Sequence, residues 1–335
     1  MIAVEKFSAA ENARLSSAYG LPPFAAGQID SHAADAHLCA LGAAREVLAH
    51  CSLWWREAPS LPGHAVGTIG HYASVDSEAS AALLSRALAM LGDQGRTLAV
   101  GPMDGNTWRH YRFVTDAGPS SPPEPAFFLE PVNPPEWPRQ FVQAGFAPLA
   151  EYYSALNIDF TRADPRLDAV ATRLVSAGVR IRSARDCDLT EQLKRIYQVS
   201  RIAFTRNFLY TELPESSFLA QYTPLLARIE PELMLLAERN HELVGYLFAI
   251  PDFAQAARGC AMDTFLIKTV AILPQPEVRG LGGLLVGLAH QAGQRLGFKR
   301  CIHALMHEDN VSRKISRHYA TTMRRYTLFG REIAR

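Results

Sequence analysis

One stretch limits what this chain can fold into more than any other: TVAILPQPEVRGLGGLL, from Thr269 to Leu285. It reads as a β-branched strand, a turn broken by Pro274 and Pro276, and a glycine-rich loop that opens a helix. Gly280, Gly282 and Gly283 permit dihedrals and close approaches that a Cβ would forbid. Behind them Leu284, Leu288, Ala292 and Leu296 repeat at helical spacing, and Gly297 suits the position just past the helix end. The first N–H groups of such a helix have no partner within it, and its dipole places about half a positive charge there. The loop is an anion cradle, with phosphate its natural guest.

The spacing excludes two common phosphate loops. A dinucleotide fingerprint needs glycine at its first, third and sixth positions; counted from Gly280 the sixth is Leu285, and counted from Gly282 the third is Leu284. A Walker loop needs Gly-Lys followed by Ser or Thr, and that is absent. The text Ile272-Leu273-Pro274, then Gln275-Pro276, then Glu277-Val278-Arg279-Gly280-Leu281-Gly282, resembles the coenzyme A loop of GCN5-related N-acetyltransferases (GNAT), whose usual form is close to Val-x-Pro-Glu-x-Arg-Gly-x-Gly. Gln275-Pro276 looks like an insertion, and Leu284 stands where the family usually has Gly or Ala. Neither change removes an N–H donor.

At 335 residues the chain is comfortable for two domains. With 48% hydrophobic and 20% charged residues and a net charge of +1, it has the composition of a soluble globular protein and no basic excess for a polyanion, so neither nucleic acid nor membrane is an expected partner. Five scattered cysteines without C-x-x-C spacing suggest neither a disulfide framework nor a zinc knuckle. No leader-like or membrane-length apolar run is seen, and a cytoplasmic setting is expected.

Taken in order, a strand is expected at the start and a helix over residues 31 to about 50, with Leu38, Leu41, Ala44, Val47 and Leu48 on its apolar face. Strands follow over 53–56 and 65–72, a helix over 76–91, a strand over 97–100 and a short helix over 106–112. Residues 127–130, the Pro-rich turn 131–138, and Gln143-Ala-Gly-Phe146 followed by 152–158 resemble the close of a GNAT module, where a Gly-Phe precedes the last strand. This first half, 1–160, has that family's outline but lacks its loop, since Val75-Asp76-Ser77-Glu78 has no glycine and brings carboxylates where phosphate would sit. It reads as a degenerate module, and Trp54, Trp55, Trp108 and Trp137 as core.

A connector over 161–178, helical around 168–175, precedes the second half, 179–335. There the order is a strand from 179, helices over 188–205 and 216–229, a hairpin at 233–238 and 243–250, a strand over 265–272, the glycine loop and its helix, a strand over 301–306, a helix from 310 to about 323, and a strand at 326–329. This matches the GNAT family element by element. The expected fold class is α/β, a mixed, mostly antiparallel sheet with flanking helices, as a tandem acyl-CoA N-acyltransferase (GNAT) fold.

The resemblance implies acetyl-CoA, or coenzyme A, as the ligand. Val278, Arg279, Gly280, Leu281, Gly282, Gly283 and Leu284 would hold its pyrophosphate. Val270, Ala271 and Ile272 would pair with its pantetheine arm, and Pro274 would splay the sheet. Asn310 and Ser312 fit the start of the family's last helix. Seven residues beyond Asn310, where the family's proton-donating Tyr is expected, stands Arg317; Tyr319 is two residues later and competes with His318 as general acid. His307, Glu308 and Asp309 lie where an amine would lose its proton, though Glu308 or Asp309 could equally cap the next helix. Lys268 reads as an ion-pair partner rather than a base. His303 and His307 share a strand face with no third ligand in register, so no metal is expected. The implied reaction is direct attack by an amine, a small molecule or peptide, on the thioester. The alternative is a catalytically silent acyl-CoA binder or sensor.

Overall fold

The computed structural model describes residues 2–8, 21 and 31–334. The first half contains β1 (Ala3–Phe7), β2 (Ala36–Leu41), β3 (Val47–Trp54), β4 (Val66–Ser74), α1 (Ser77–Asp93), β5 (Leu98–Gly101), β6 (Phe113–Asp116), α2 (Glu136–Gln143) and β7 (Ala147–Asn157). After the connector helix α3 (Leu167–Ser176) come β8 (Val179–Ser183), α4 (Leu189–Ala203), α5 (Glu215–Tyr222), β9 (Met234–Arg239), β10 (Glu242–Pro251) and α6 (Phe253–Ala257). The chain then runs through β11 (Thr264–Ile272), α7 (Leu281–Arg295), β12 (Arg300–His307), α8 (Val311–Ser316) and β13 (Thr321–Glu332).

The two halves repeat one unit: antiparallel strands leading to a parallel pair joined by a helix, β4-α1-β5 in the first and β11-α7-β12 in the second. They share one mixed α/β sheet of order β1-β2-β3-β4-β5-β13-β7-β12-β11-β10-β9-β8, with β6 on β13. The last strands are exchanged. β7, from the first half, pairs with β12, while β13, from the second, pairs with β5. β7 and β13 also pair with each other, Tyr152 opposite Tyr326, and stitch the halves together.

Several sequence expectations are corrected. The helix over 31–50 is instead the hairpin β2–β3, turning at Arg45 with φ of 61°. Every residue of β2 is buried, so no polar alternation marked it as a strand, and short apolar runs with i, i+3 coincidences imitate a helix face. Residues 106–112 and 127–130 form turns, and α2 begins inside the Pro-rich segment at Glu136. The final helix stops at Ser316, because the chain must turn into the long strand β13. The helix at 76–91 is present and capped by Asp76, and that at 188–205 by Asp188.

Candidate active site

β11 and β12 run parallel only from Thr264–Ile267 against 300–303. Beyond that, β11 stays with β10 and β12 stays with β7, so the strands separate and the β12-facing edge of 268–272 has no strand partner among the described residues. Lys268 marks the start of the opening. It is the bulged residue of β11, since Phe248 opposes Thr269 and Ala249 opposes Ile267. β12 answers with its own irregularity at Leu305, whose φ is 59° and whose N–H donates to Ser154 Oγ at 3.0 Å.

The glycine loop lies at the far end of the β11 edge. Gly280 has φ of 85°, a left-handed conformation that favours glycine, and caps α7 without a side chain. Val278 and Leu281 are buried anchors, whereas Arg279 and Gly280 are exposed. A Cβ placed on Gly282 would stand 3.4 Å from Ile315 of α8 and 3.6 Å from Val270, ordinary contact distances, so the loop leaves space there. Leu284 turns into the core, which explains how a leucine is tolerated at a position where Gly or Ala was expected. The connector helix braces the loop from outside, with the Arg173 guanidinium donating to the carbonyls of Glu277, at 3.3 Å, and Arg279. Asn310 caps α8 by accepting from the Ser312 N–H at 3.4 Å, and α8 reaches the loop through Ile315.

The corresponding opening in the first half is filled by its own chain. Met103 N–H donates to Ile69 at 2.8 Å, His71 N–H donates to Asp104 Oδ1 at 2.6 Å, and a Cβ on Gly70 would lie 2.3 Å from the Met103 carbonyl oxygen. The N-terminus of α1 already holds a carboxylate, Asp76 Oδ1 accepting from Ala79 N–H at 2.8 Å.

The predicted catalytic residues are not brought together. Tyr319 falls beyond α8; it is buried, with a hydroxyl lacking a hydrogen-bond partner, 3.6 Å from where a Cβ of Gly287 would stand on α7. Burial raises its pKa. Glu308 is gripped by Arg313 at 2.9 Å and Arg325 at 2.5 Å. His307 accepts from the Asp309 N–H at Nδ1, 3.1 Å, so its neutral form carries the proton on Nε2, which is buried and unpartnered. Burial lowers its pKa. His303 and His307 are separated by the irregularity at Leu305. His303 packs on His290, with a nitrogen–nitrogen distance of 2.9 Å, while His307 meets Tyr152 and Phe208. Asp309 and Asn310 are exposed.

Two side-chain groups have ligand atoms within 4.8 Å of one another, His290 with Cys301 and His303, and His32 with His71 and Asp104. In each the imidazoles are engaged with one another: His32 Nδ1 lies 2.8 Å from His71 Nε2, and His71 Nδ1 lies 2.8 Å from Ser52 Oγ.

A cluster of charged and aromatic side chains where the halves meet was not anticipated. Arg112 lies over Tyr111 and Tyr152, its guanidinium carbon 4.0 and 4.4 Å from the ring centres, and donates to the Leu305 carbonyl at 3.4 Å. Beside it Glu130 accepts from Arg324 at 2.5 Å, from Tyr326 and from Phe127 N–H at 3.1 Å. Lys268, expected to be ion-paired, forms no ion pair among the described residues; its ammonium lies 5.9 Å from the Phe127 ring centre. Burial, with the nearby Arg112 charge, lowers its pKa to about 8. The only hint in the sequence was an arginine set between Tyr111 and Phe113. A cavity of about 40 Å³ lies under α4 and α5, walled by residues including Trp108, Phe204, Phe218, Tyr246 and Phe248 and reaching Thr269. Trp108, read as core, faces this cavity, while Trp54 and Trp137 are core.

No protein-family model and no curated protein matches the chain. Solved structures do match in fold. A GCN5-related N-acetyltransferase from Sphaerobacter thermophilus superposes with a TM-score of 0.52 at 14% identity, covering 100% of this chain and 96% of that one. A tandem GNAT protein from the clavulanic acid biosynthesis pathway gives 0.51 at 13% identity, covering 100% and 99%. The GCN5-related glucosamine N-acetyltransferase region of a fungal multi-domain GH3 β-N-acetylglucosaminidase gives 0.54 at 13% identity; the match covers 99% of this chain but 38% of that protein. The fold is therefore that of the tandem GNAT acyltransferases.

Proposed function

We propose that this chain is an acyl-CoA dependent N-acyltransferase, with acetyl-CoA as donor and a small molecule or peptide amine as acceptor, working in the second half by direct attack in a ternary complex. The observation that carries this reading is the opening between β11 and β12, whose unpaired edge runs from Lys268 to the glycine loop. The first half has the same opening closed by its own backbone.

In this reading the N–H groups of 280–284 and the Arg279 guanidinium hold the pyrophosphate, and the edge Val270 to Ile272 orders the pantetheine arm. Backbone N–H groups at the bulge stabilise charge developing on the thioester oxygen, each donor worth about 3 kcal/mol. Tyr319 is the phenol left free to protonate the departing thiolate. Glu308 is neutralised by two arginines, and His307, which accepts at Nδ1 from the Asp309 N–H, has only a donor left at Nε2, so the amine attacks as its free base and its proton leaves to solvent water.

Isothermal titration with acetyl-CoA, followed by thiol-release assays over amine acceptors, tests the proposal. Binding with turnover is expected. Binding without turnover on any amine class would leave the silent binder, and failure to bind would refute both.

A further inference from the structure

We infer that the side-chain cluster where the halves meet is a carboxylate-recognition site for the acceptor, with Arg112 of the first half and Lys268 of the second as its charged contacts; this rests on the acyltransferase reading. Three hydrogen-bond donors there lack acceptors. Arg112 is 6% exposed, and its Nε is buried without a partner. His307 Nε2, within electrostatic reach of Arg112, is likewise buried and unpartnered. Lys268 Nζ has no hydrogen bond among the described residues. The two buried donors, Arg112 Nε and His307 Nε2, carry a desolvation cost that a ligand oxygen removes, and the half-buried Lys268 adds a charge beside them.

Charge points to the same ligand. The carboxylate that acts on Lys268 is Glu130, and its oxygens are already committed to Arg324, Tyr326 and the Phe127 N–H. Arg112 and Lys268 are thus two neighbouring cations with no ion-pair partner among the described residues. Arginine's planar fork and a lysine point charge are the pair that grips a carboxylate.

Position assigns that carboxylate to the acceptor rather than to the donor's phosphates. At roughly 3.3 Å per residue, Lys268 stands about 13 Å from Ile272, and the loop lies beyond. Lys268 is at the thioester end of the edge and the pyrophosphate at the other. The acceptor is therefore of amino-acid type, its amine facing the opening and its carboxylate held by Arg112 and Lys268.

The test is titration of the full-length protein, with and without acetyl-CoA, against the standard amino acids, their amides and phosphoethanolamine. It is repeated in Arg112→Gln and Lys268→Met, with Arg112→Lys in case the glutamine variant fails to fold. Acetyl-CoA binding in each variant checks the donor site, and its absence in the wild type would refute the acyltransferase reading independently. At least one amino acid is expected to bind, with its amide and both variants weaker by about 10- to 100-fold, the loss of a hydrogen bond to a charged group. The inference is overturned if no amino acid binds, if amides bind as well, if the variants keep wild-type affinity, or if phosphoethanolamine alone binds.

Discussion

Substituting Gly282 separates the cradle's chemistry from its role in folding. A Cβ at this position meets Ile315, Val270 and Ile272 at 3.4 to 3.7 Å, so Gly282→Ala needs no movement of its neighbours. It replaces glycine within the first turn of α7 and should leave stability unchanged or raise it by up to about 1 kcal/mol. Gly282→Glu adds a carboxylate at a helix N-terminus, which the dipole favours by about 0.3–1 kcal/mol. Folding is therefore retained in both variants. For a pyrophosphate the sign reverses: two unit charges about 5 Å apart repel by about 3 kcal/mol at an effective dielectric near 20. The loop is partly open to solvent, which reduces this, and a loss of at least about 30-fold in coenzyme A affinity remains. Calorimetric titration with coenzyme A beside thermal melts reads both quantities. A stable Gly282→Glu protein that binds coenzyme A as tightly as wild type would refute the cradle.

Gly280→Ala should cost about 1–2 kcal/mol, because its φ of 85° is left-handed and a Cβ would sit 3.1 Å from Val170; a melt that does not fall contradicts the described turn. Tyr319→Phe removes a buried hydroxyl without a partner and should leave the melting temperature nearly unchanged, while turnover falls if the phenol protonates the thiolate; unchanged turnover removes Tyr319 from the chemistry. Glu130→Gln breaks a buried ion pair and should cost about 3–5 kcal/mol, read as a lower melting temperature. The Lys268 pKa is lowered to about 8 in the fold, so between pH 8 and the ordinary lysine value the unfolded chain binds more protons and stability rises with pH. Lys268→Met should flatten that rise in denaturation curves taken across this window, and an unaltered slope would show that the ammonium is not desolvated.

The coenzyme loop was legible because its signals are local: glycines, a helix repeat and Pro274 lie within one continuous stretch. The β2–β3 hairpin was not, since both strands are buried nearly throughout and the turn 42–46 places its left-handed residue at Arg45 rather than at its one glycine, Gly42. Tyr319 was placed on a helix because its sequence continues the α8 pattern, but pairing of β13 with β7 from Thr321 onward draws that segment into strand. The charged cluster was beyond reach for a different reason. Arg112, Glu130, Lys268 and Arg324 are contributed by distant segments and meet through the exchange of β7 and β13, a non-local pairing that no periodicity announces.

That exchange also governs how the chain is made. During synthesis β5 emerges long before β13, and until residue 332 is out the edge that β13 will cover has no strand partner. The first half therefore waits with an open, buried-type strand edge, a template for pairing with another chain. Its last strand is meanwhile reserved for β12, nearly 150 residues later in the sequence. Such long-range closure slows folding and lengthens exposure to aggregation. A ribosome stalled late in this message would release a protein with its second half nearly complete and its first half unsealed.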